Sequence, residues 1–307
     1  MLLAPDRPRR AVSPQRCLVC GAEQTFRFAQ QGYRYYRCRS CGLISTLPVP
    51  DDETRAIHYA QRFEDGNYRV RREKPGIYDP VNRAYARLLR RELRKAGLGL
   101  EDASVLDVGA FTGEFVALLL AQGTDAYGVE VQAEAVAVAE SKLPGRVIRA
   151  DVADPALDSL LSGRHFDAVT LLAVIEHVPD PLGLLARAAK LLRPGGLLVL
   201  ETPDSGSLLA RVMGRFWPSY TPVEHIHLFS RRSLSFSLQS AGFLEARFRS
   251  HWKSLTPSYV YDMLETFGPS CRPLLRAALA ALPRRLREVP LPFYGGEVLV
   301  TARKPQV

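Results

Sequence analysis

The sequence has no apolar run that approaches 18 residues, the length at which a helix can cross a bilayer. Met1 to Arg16 also lacks the apolar core of a signal peptide, and its proline and arginine content predicts a mobile N-terminus over residues 1–16. These absences predict a cytoplasmic protein without a transmembrane segment. The chain has no internal repeat, and its 307 residues suffice for one large domain and one small one.

Cysteine is scarce as well, with five residues in the chain. Four of them form two CxxC pairs, and these are Cys17, Cys20, Cys38 and Cys41. Such pairs fit a reducing cytosol better than a disulfide framework, and glycine follows each pair at Gly21 and Gly42. Four thiolates at this spacing match tetrahedral Zn²⁺. Because no ligand position is left open, we expect a structural metal in a zinc ribbon over residues 17–47.

Acidic residues are fewer than basic ones, with 32 Asp and Glu against 41 Lys and Arg, and the formal net charge is +9 at pH 7. A basic surface can attract nucleic acid, an anionic membrane or a phosphorylated substrate. No basic run in this chain is interleaved with stacking aromatics in the pattern typical of RNA-binding segments. We therefore favour a solvated, arginine-rich face and keep nucleic acid as the less favoured partner.

The stretch from Val105 to Phe115 organises the rest of the chain. An apolar run passes through Asp107, turns through Gly109 and Gly113, and continues as an apolar segment of helical length. The pattern predicts a strand, a glycine turn and a helix N-terminus, where free N–H groups favour an anionic ligand. Taken alone, it also fits a tight turn that binds nothing.

Four further strands are predicted downstream, separated by segments of helical length. They are Ala126–Glu130, Arg146–Asp151, His165–Leu172 and Leu197–Thr202. This alternation predicts an α/β fold with a Rossmann-like, mostly parallel sheet and helices on both faces. Ligands of such sheets bind at the carboxyl ends of the strands, where Glu130, Asp151 and the loop after Leu172 fall. An acid at position 130 can accept hydrogen bonds from both hydroxyls of a ribose.

Five short motifs occur in a fixed order along the chain. They are Leu106-Asp-Val-Gly-Ala-Phe-Thr-Gly113, Gly128-Val-Glu130, Ala150-Asp151, Glu176-His-Val178 and Leu192-Arg-Pro-Gly-Gly196. This ordered set resembles a class I S-adenosylmethionine-dependent methyltransferase over about residues 80–250. The resemblance implies S-adenosylmethionine as the cofactor and a seven-stranded sheet whose last strand runs antiparallel between strands five and six.

The same resemblance assigns six residues to cofactor binding: Asp107, Gly109, Gly113, Glu130, Asp151 and Glu176. The first three would shape the pocket for the methionine part. Glu130 would hold the ribose hydroxyls and Asp151 the adenine amino group, while the Glu176-His177 pair would mainly shape the adenosine pocket. Phe111 stands where many members have glycine, and this departure bears on the path of the turn.

A polar loop from Trp217 to Ser230 is the best candidate for the substrate side. It carries a tyrosine, a glutamate and two histidines, and histidine is the natural base near neutral pH. Either imidazole can equally be a group that only holds the loop in shape. The run Glu224-His-Ile-His-Leu-Phe-Ser230 resembles small-molecule and sugar O- or C-methyltransferases that often carry an N-terminal zinc unit. That resemblance implies a catalytic base at His225 or His227, and His177 is a further candidate.

The remaining segments complete the predicted domain plan. Residues 48–78 form a linker and lid region, which similar proteins fold over the cofactor entrance, although the pattern equally fits a packed connecting helix. Residues 79–307 form the methyltransferase domain, whose first helix Asp79 should cap and Gly97 should end. A helical insertion at about 253–293 could cover the substrate or form a homodimer contact.

The sequence thus predicts an enzyme, a methyltransferase that acts by in-line transfer on a small molecule or sugar-containing acceptor, with O-methylation favoured. Two alternatives remain open. In the first, the ribbon and the basic charge recruit RNA, although no Asn/Asp-Pro-Pro-Tyr type motif follows the fourth strand. In the second, the fold binds the cofactor without turnover, and only Phe111 points that way.

Overall fold

The computed structural model describes residues 16–64, 69, 73, 74, 76–267 and 272–306. Residues 1–15, nearly all of the predicted mobile N-terminus, lie outside the described part. Small parts of the 48–78 region and of the 253–293 insertion lie outside it as well. Within the described ranges, no helix is both long and apolar enough to cross a membrane.

The described chain forms two sheets with helices around them. The strands are β1 (Gln24–Gln30), β2 (Tyr33–Cys38), β3 (Ile44–Leu47), β4 (Ser104–Val108), β5 (Asp125–Glu130), β6 (Val147–Arg149), β7 (Phe166–Leu172), β8 (Leu192–Pro203), β9 (His227–Leu228), β10 (Leu244–Leu255) and β11 (Leu291–Arg303). The helices are α1 (Asp52–Glu64), α2 (Asp79–Arg94), α3 (Glu114–Leu120), α4 (Ala133–Lys142), α5 (Leu157–Leu160), α6 (Pro181–Leu191), α7 (Leu208–Met213), α8 (Arg231–Ser240), α9 (Pro257–Phe267), α10 (Arg272–Ala281) and α11 (Arg284–Arg287).

The larger sheet has the order β10-β11-β8-β7-β4-β5-β6. Strands β4 to β8 pair in parallel, and β11 runs antiparallel to both β8 and β10. The predicted Rossmann-like fold with its antiparallel strand between the fifth and sixth strands is therefore confirmed. All five parallel strands end at one edge, and the residues assigned to the cofactor lie there.

Both faces of the parallel strands are buried, which explains their nearly continuous apolar sequence. Successive side chains of a strand point to opposite faces, so Leu106 and Val108 join one core cluster while Val105 joins the other. Helices α6 and α8 cover the first face. Helices α2 and α3 cover the second.

Three element ends differ from the sequence prediction: the end of β10, the start of β11 and the start of α2. The last two strands are longer than expected, because Lys253 pairs with Phe293 and Leu255 with Leu291, so the insertion between them is narrower than 253–293. Helix α2 begins after Tyr78, and no side chain caps it. The predicted Asp79 cap is wrong, since Asp79 lies inside the first turn of the helix. Its negative charge still interacts favourably with the helix dipole there.

The smaller sheet joins the ribbon to the large domain. Its strand order is β1-β2-β3-β9. Strand β9, from the loop after β8, is therefore added beside β3 as the fourth strand of the ribbon sheet. Ile44 pairs with Leu228, and the hydroxyl of Ser230 donates to the Cys41 carbonyl at 2.8 Å. Pairing with β9 satisfies the outer edge of β3, which would otherwise present unpaired backbone groups.

Candidate active site

The glycine turn after β4 has little room for side chains. Gly109 has a φ of +78°, and a Cβ there would lie 2.6 Å from Val174 Cγ2. Phe111 has a φ of 50°, the left-handed conformation that glycine adopts readily. Its ring is buried against Phe63 of α1, with the ring centroids 5.8 Å apart. The backbone of the turn is therefore left-handed at Phe111, a conformation that glycine adopts readily. Packing of the Phe111 ring against Phe63 of α1 stabilises this conformation.

The two acids that end β4 and β5 are both buried beside this turn. Asp107 accepts a hydrogen bond from the Thr170 hydroxyl at 2.5 Å. The Glu130 carboxylate accepts from three backbone N–H groups, those of Phe111, Val131 and Gln132, at 2.8–2.9 Å. Burial raises the pKa of Glu130, while the three N–H donors oppose the rise. A carboxylate has about four acceptor positions, so Glu130 can accept one further donor.

Unpartnered polar atoms at this edge are compatible with a bound ligand. Thr112 Oγ1 and Gln132 Oε1 are buried, and neither has a hydrogen-bond partner among the described residues. Such atoms are uncommon in folded proteins unless a ligand or water completes them. Asp151 lies at the same edge after β6, is exposed, and accepts from the Ala153 N–H at 2.8 Å. The residues present thus fit a polar, ribose-bearing ligand such as S-adenosylmethionine.

Helix α1, from the predicted linker and lid region, lies across this edge. Phe63 packs on Phe111 at one end of the edge. Tyr59 lies against His177 further along, with its hydroxyl 3.1 Å from His177 Nδ1. Arg62 forms an ion pair with Glu224 at 3.6 Å. The helix therefore contacts both the glycine turn and the polar loop.

Three side chains converge beyond Tyr59: Glu176, His177 and His225. Their ligand atoms all lie within 4.8 Å of one another. Each imidazole is fixed through Nδ1, which contacts the Glu224 carbonyl at 2.8 Å in His177 and the Ser219 carbonyl at 2.7 Å in His225. A carbonyl only accepts, so Nδ1 carries the proton in both rings. Each Nε2 therefore keeps its lone pair.

The charge state of this group follows from its burial. Burial raises the pKa of Glu176 to about 8, and the Glu201 carboxylate adds to the rise. Burial lowers the pKa of His177 to about 4, and His225 lowers it further. The pKa of His225 is also lowered by burial. Both imidazoles are therefore neutral near neutral pH. Burial alone would raise the pKa of Glu224. His58, His225 and Arg62 outweigh this effect and bring the pKa well below its usual range.

His227 lies apart from this group. It is 2% exposed and belongs to β9, where it pairs with Ser45 of the ribbon. Its Nε2 donates to the Pro179 carbonyl at 3.3 Å, and burial lowers its pKa to about 4. The structure thus brings His225 together with His177 and Glu176, while the second histidine of the loop packs between the ribbon and the start of α6.

The four paired cysteines converge at the tip of the ribbon. Their sulfurs lie within 4.8 Å of one another, with Cys17 and Cys41 3.5 Å apart and Cys20 and Cys38 3.4 Å apart. Sulfurs around tetrahedral Zn²⁺ are about 3.8 Å apart for Zn–S bonds of about 2.3 Å, so the donor set and its spacing fit the predicted ion. The thiol of Cys41 lowers the pKa of Cys17 to about 5, which favours a thiolate there.

Some polar residues near the site escaped the sequence analysis. Lys253 is buried between Glu201 and Glu297, with its Nζ 3.2 Å and 3.0 Å from their carboxylates. The hydroxyl of Tyr85 donates to Glu201 at 3.4 Å. The signal was a charged residue, Glu201, inside the apolar run of β8. His58 gave no comparable signal, because its partner Glu224 is distant in sequence.

Comparison with known proteins gives a family match over half of the chain. The family model described as "Methyltransferase domain" matches residues 81–244. The ubiquinone biosynthesis O-methyltransferase of Xanthomonas campestris pv. campestris (strain B100) is 34% identical over 109 residues, 35% of this chain and 46% of that protein. The protein of the same name from Nitrosomonas europaea is 27% identical over 157 residues, 48% of this chain and 66% of that protein. The chain therefore spans about half the length of the first of these curated relatives.

Two solved structures resemble the fold. One is the 1,6-didemethyltoxoflavin-N1-methyltransferase of Burkholderia thailandensis with bound 1,6-didemethyltoxoflavin and S-adenosylhomocysteine. It is 17% identical, with a TM-score of 0.48 over 92% of this chain and 99% of that one. The other is a SAM-dependent methyltransferase from Archaeoglobus fulgidus. It is 19% identical, with a TM-score of 0.48 over 80% of this chain and 100% of that one.

Proposed function

Because this chain belongs to the methyltransferase domain family, we propose that it transfers a methyl group from S-adenosylmethionine to an oxygen atom of a small-molecule or sugar-containing acceptor. The observation that carries the proposal is the position of Tyr59 on α1. Burial raises its pKa, and the nearby carboxylates of Glu224, Glu176 and Glu130 raise it further. Its hydroxyl lies 3.1 Å from His177 Nδ1, and one turn further along the same helix Phe63 packs on Phe111 of the glycine turn.

The proposed roles follow from the state of each side chain. S-adenosylmethionine, when bound, supplies a methyl group attached to a positively charged sulfur. Glu130 and the glycine turn hold the cofactor, with Asp107 and Asp151 at its two ends. His225 faces the acceptor with a neutral imidazole and takes the hydroxyl proton at Nε2. Helix α1 covers the edge and excludes water. The names of the curated relatives support an oxygen acceptor over the matched part of the chain.

We assign the ribbon a bracing role. Its strand β3 is paired with β9, and Ser230 binds the Cys41 carbonyl, so the ribbon backs the loop that carries His225. This arrangement supports a small-molecule acceptor over RNA recruitment. To recruit RNA, the ribbon would need a surface that binds RNA rather than one that supports the loop.

The test uses labelled cofactor and the purified, zinc-loaded protein. The label is followed into the small-molecule, glycan, nucleic-acid and protein fractions of an extract from the source organism. We expect it in the small-molecule or glycan fraction. Label in nuclease-sensitive material would instead support RNA recruitment. Cofactor binding with no label in any fraction would support the non-catalytic alternative.

Replacing His225 by glutamine is expected to lower turnover by roughly 100-fold or more, the usual contribution of a positioned base. Binding of S-adenosylhomocysteine should stay within a few-fold, because Glu130 is untouched. The base must be neutral to act, and burial lowers the pKa of His225 below its ordinary value. The wild-type pH–rate plateau should therefore extend below pH 6.5 before activity falls. Steady-state kinetics from pH 5 to 9 and calorimetry measure both quantities.

The matched control is His227→Gln, which changes the other histidine of the same loop. It should retain most of its turnover at neutral pH, because His227 Nε2 already binds the Pro179 carbonyl. Equal losses in the two variants would show that neither histidine acts as the base and that both only support the loop.

A further inference from the structure

The group formed by Glu176, His177 and His225 has the composition of a metal site. Two imidazoles and one carboxylate, each offering one ligand atom within 4.8 Å of the others, converge from separate segments of the chain. Glu176 and His177 follow β7, whereas His225 belongs to the loop after β8. Ligand atoms around a zinc or manganese ion lie about 3 to 3.5 Å apart, so a small movement brings these three to bonding distance.

The two imidazole ligand atoms are available in the form that a metal needs. Both imidazoles are neutral at Nε2, because each Nδ1–H is already donated to a backbone carbonyl. Histidines that bind metals are oriented in this way, with the second ring nitrogen held by a carbonyl or carboxylate. Among the described residues neither Nε2 makes a hydrogen bond, and the Glu176 oxygen 3.8 Å from His177 Nε2 is beyond hydrogen-bonding distance.

Glu176 provides an independent observation. Its side chain is 1% exposed, and Oε1 has no hydrogen-bond partner among the described residues, whereas Oε2 accepts from Thr202 at 2.8 Å. Burying a carboxylate oxygen without a donor or cation is unfavourable. A cation bound at Oε1 removes this penalty and would replace the proton that burial otherwise keeps on the carboxyl, and among the described residues no donor reaches that atom.

Hydrogen bonds link the two chain segments that carry Glu176, His177 and His225. The Glu176 carbonyl accepts from the backbone N–H groups of Ile226 and His227, at 2.8 and 3.1 Å. The Glu224 carbonyl accepts from His177 in return. These bonds tie the loop after β8 to the segment after β7, so the backbones that carry the three ligands are held together and only side-chain adjustment is needed. Preorganised ligands favour metal binding, because less order has to be gained on binding.

We propose that Glu176, His177 and His225 bind a divalent transition-metal ion. Two imidazoles and a carboxylate suit Fe²⁺, Co²⁺, Ni²⁺ or Zn²⁺ best and also admit Mn²⁺, whereas Mg²⁺ and Ca²⁺ prefer oxygen donors alone. Three protein ligands leave coordination positions open, where water or an acceptor oxygen would bind. The ion would hold that oxygen and lower its pKa, and the acceptor proton would leave to water. This last role rests on the proposed function, whereas binding of the ion does not.

The ion and the catalytic base compete for one atom. His225 Nε2 either binds the metal or takes the acceptor proton, so a loaded site transfers the activating role from the imidazole to the metal. The site is also distinct from the cysteine cluster in the ribbon. Thiolates select soft ions, so Mn²⁺ avoids the cysteine cluster, and a nitrogen signal distinguishes the histidine group from exposed carboxylates.

The experiment is a titration of the full chain with MnCl₂, without cofactor or acceptor, after dialysis that leaves the ribbon zinc bound. Free Mn²⁺ is followed by its electron paramagnetic resonance signal. We expect equimolar tight binding and electron spin-echo modulation from nitrogen nuclei, which shows imidazole ligands directly. Absence of bound Mn²⁺, or bound Mn²⁺ without nitrogen modulation, would overturn the proposal. Because no methyl transfer is measured, the outcome does not depend on whether the proposed function is right.

Substitutions of the proposed ligands test which side chains bind Mn²⁺. His225→Gln and Glu176→Gln should each weaken Mn²⁺ binding by roughly 100-fold, since even partners of metal ligands contribute about 10- to 100-fold. His227→Gln is the matched control and should leave the affinity unchanged, because its imidazole lies outside the group. Thermal unfolding checks that each variant folds. Unchanged Mn²⁺ affinity in both ligand variants would also overturn the assignment, and the wild-type spectrum decides the question if a variant does not fold.

Discussion

Replacing Cys38 by serine is expected to release the ribbon zinc and to lower methyl transfer by at least about 100-fold, although Cys38 belongs to the ribbon and not to the residues assigned to the cofactor. A structural zinc site contributes about 10–16 kcal/mol to folding of a small domain at neutral pH. The ribbon is too small to replace that contribution with its own apolar core. Losing one of four thiolates should therefore unfold the ribbon while the large sheet stays folded.

The effect reaches the site through backbone contacts. Strand β9 would lose its partner β3, and the Thr46 N–H would no longer donate to the Ile226 carbonyl at 2.9 Å. Ser230 would lose the Cys41 carbonyl. His225 lies between these anchors, so its orientation should be lost, and a 1 Å displacement of a catalytic group can lower the rate by about 100-fold.

The measurement compares zinc content, turnover and S-adenosylhomocysteine affinity in Cys38→Ser and in Arg39→Ser. Arg39 is exposed in the same knuckle between two cysteines and is not a ligand, so its variant controls for the position. We expect cofactor affinity to fall far less than turnover, because Glu130 lies on β5, close to the opposite end of the large sheet. Full turnover in zinc-free protein would contradict the bracing role.

The elements that could be predicted from the sequence are those whose cause is local. The glycine turn and the parallel strands follow from residues within a few positions, and the order of the last two strands follows from the family resemblance. The N-cap of α8 is a local case as well, because the Ser230 hydroxyl accepts from the Ser233 N–H three residues on.

The parts that could not be predicted depend on contacts between distant residues. Tyr59 meets His177 across 118 positions, and helical periodicity shows which face of α1 is buried without showing its partner. The two histidines of the loop look alike in sequence. Their surroundings differ because the Ser219 carbonyl fixes one and the Pro179 carbonyl the other. The pairing of β3 with β9 is of the same kind, since neither strand signals its partner.

Replacing Glu130 by glutamine is expected to weaken S-adenosylmethionine binding by roughly 100-fold. Glutamine keeps the shape, but its amide NH₂ replaces one carboxylate oxygen. A ribose hydroxyl that donates to the carboxylate would meet a neutral amide instead, and a hydrogen bond to a charged acceptor contributes about 1.5–3 kcal/mol. A loss near 3 kcal/mol corresponds to about 100-fold in affinity.

The matched control is Asp151→Asn, the same acid-to-amide change one strand further along the edge. Asp151 is exposed, and its Oδ1 accepts from the Ala153 N–H, a bond that the asparagine oxygen can keep. Its replacement should lower affinity by no more than about tenfold, the value of one hydrogen bond in contact with water. Isothermal titration calorimetry measures both variants. Equal losses at the two positions would contradict the assignment of Glu130 to the ribose.

A thermodynamic cycle separates the two ways in which Glu130 can act. Its carboxylate already accepts from three backbone N–H groups, so the variant could weaken binding only by loosening the glycine turn. The 2′,3′-dideoxy analogue of S-adenosylhomocysteine lacks both ribose hydroxyls, including the one that the Glu130 carboxylate would accept. If Glu130 binds the ribose, Glu130→Gln should weaken binding of the analogue much less than binding of the parent compound. If it only holds the turn, the two losses should be equal, because the turn contacts both ligands alike.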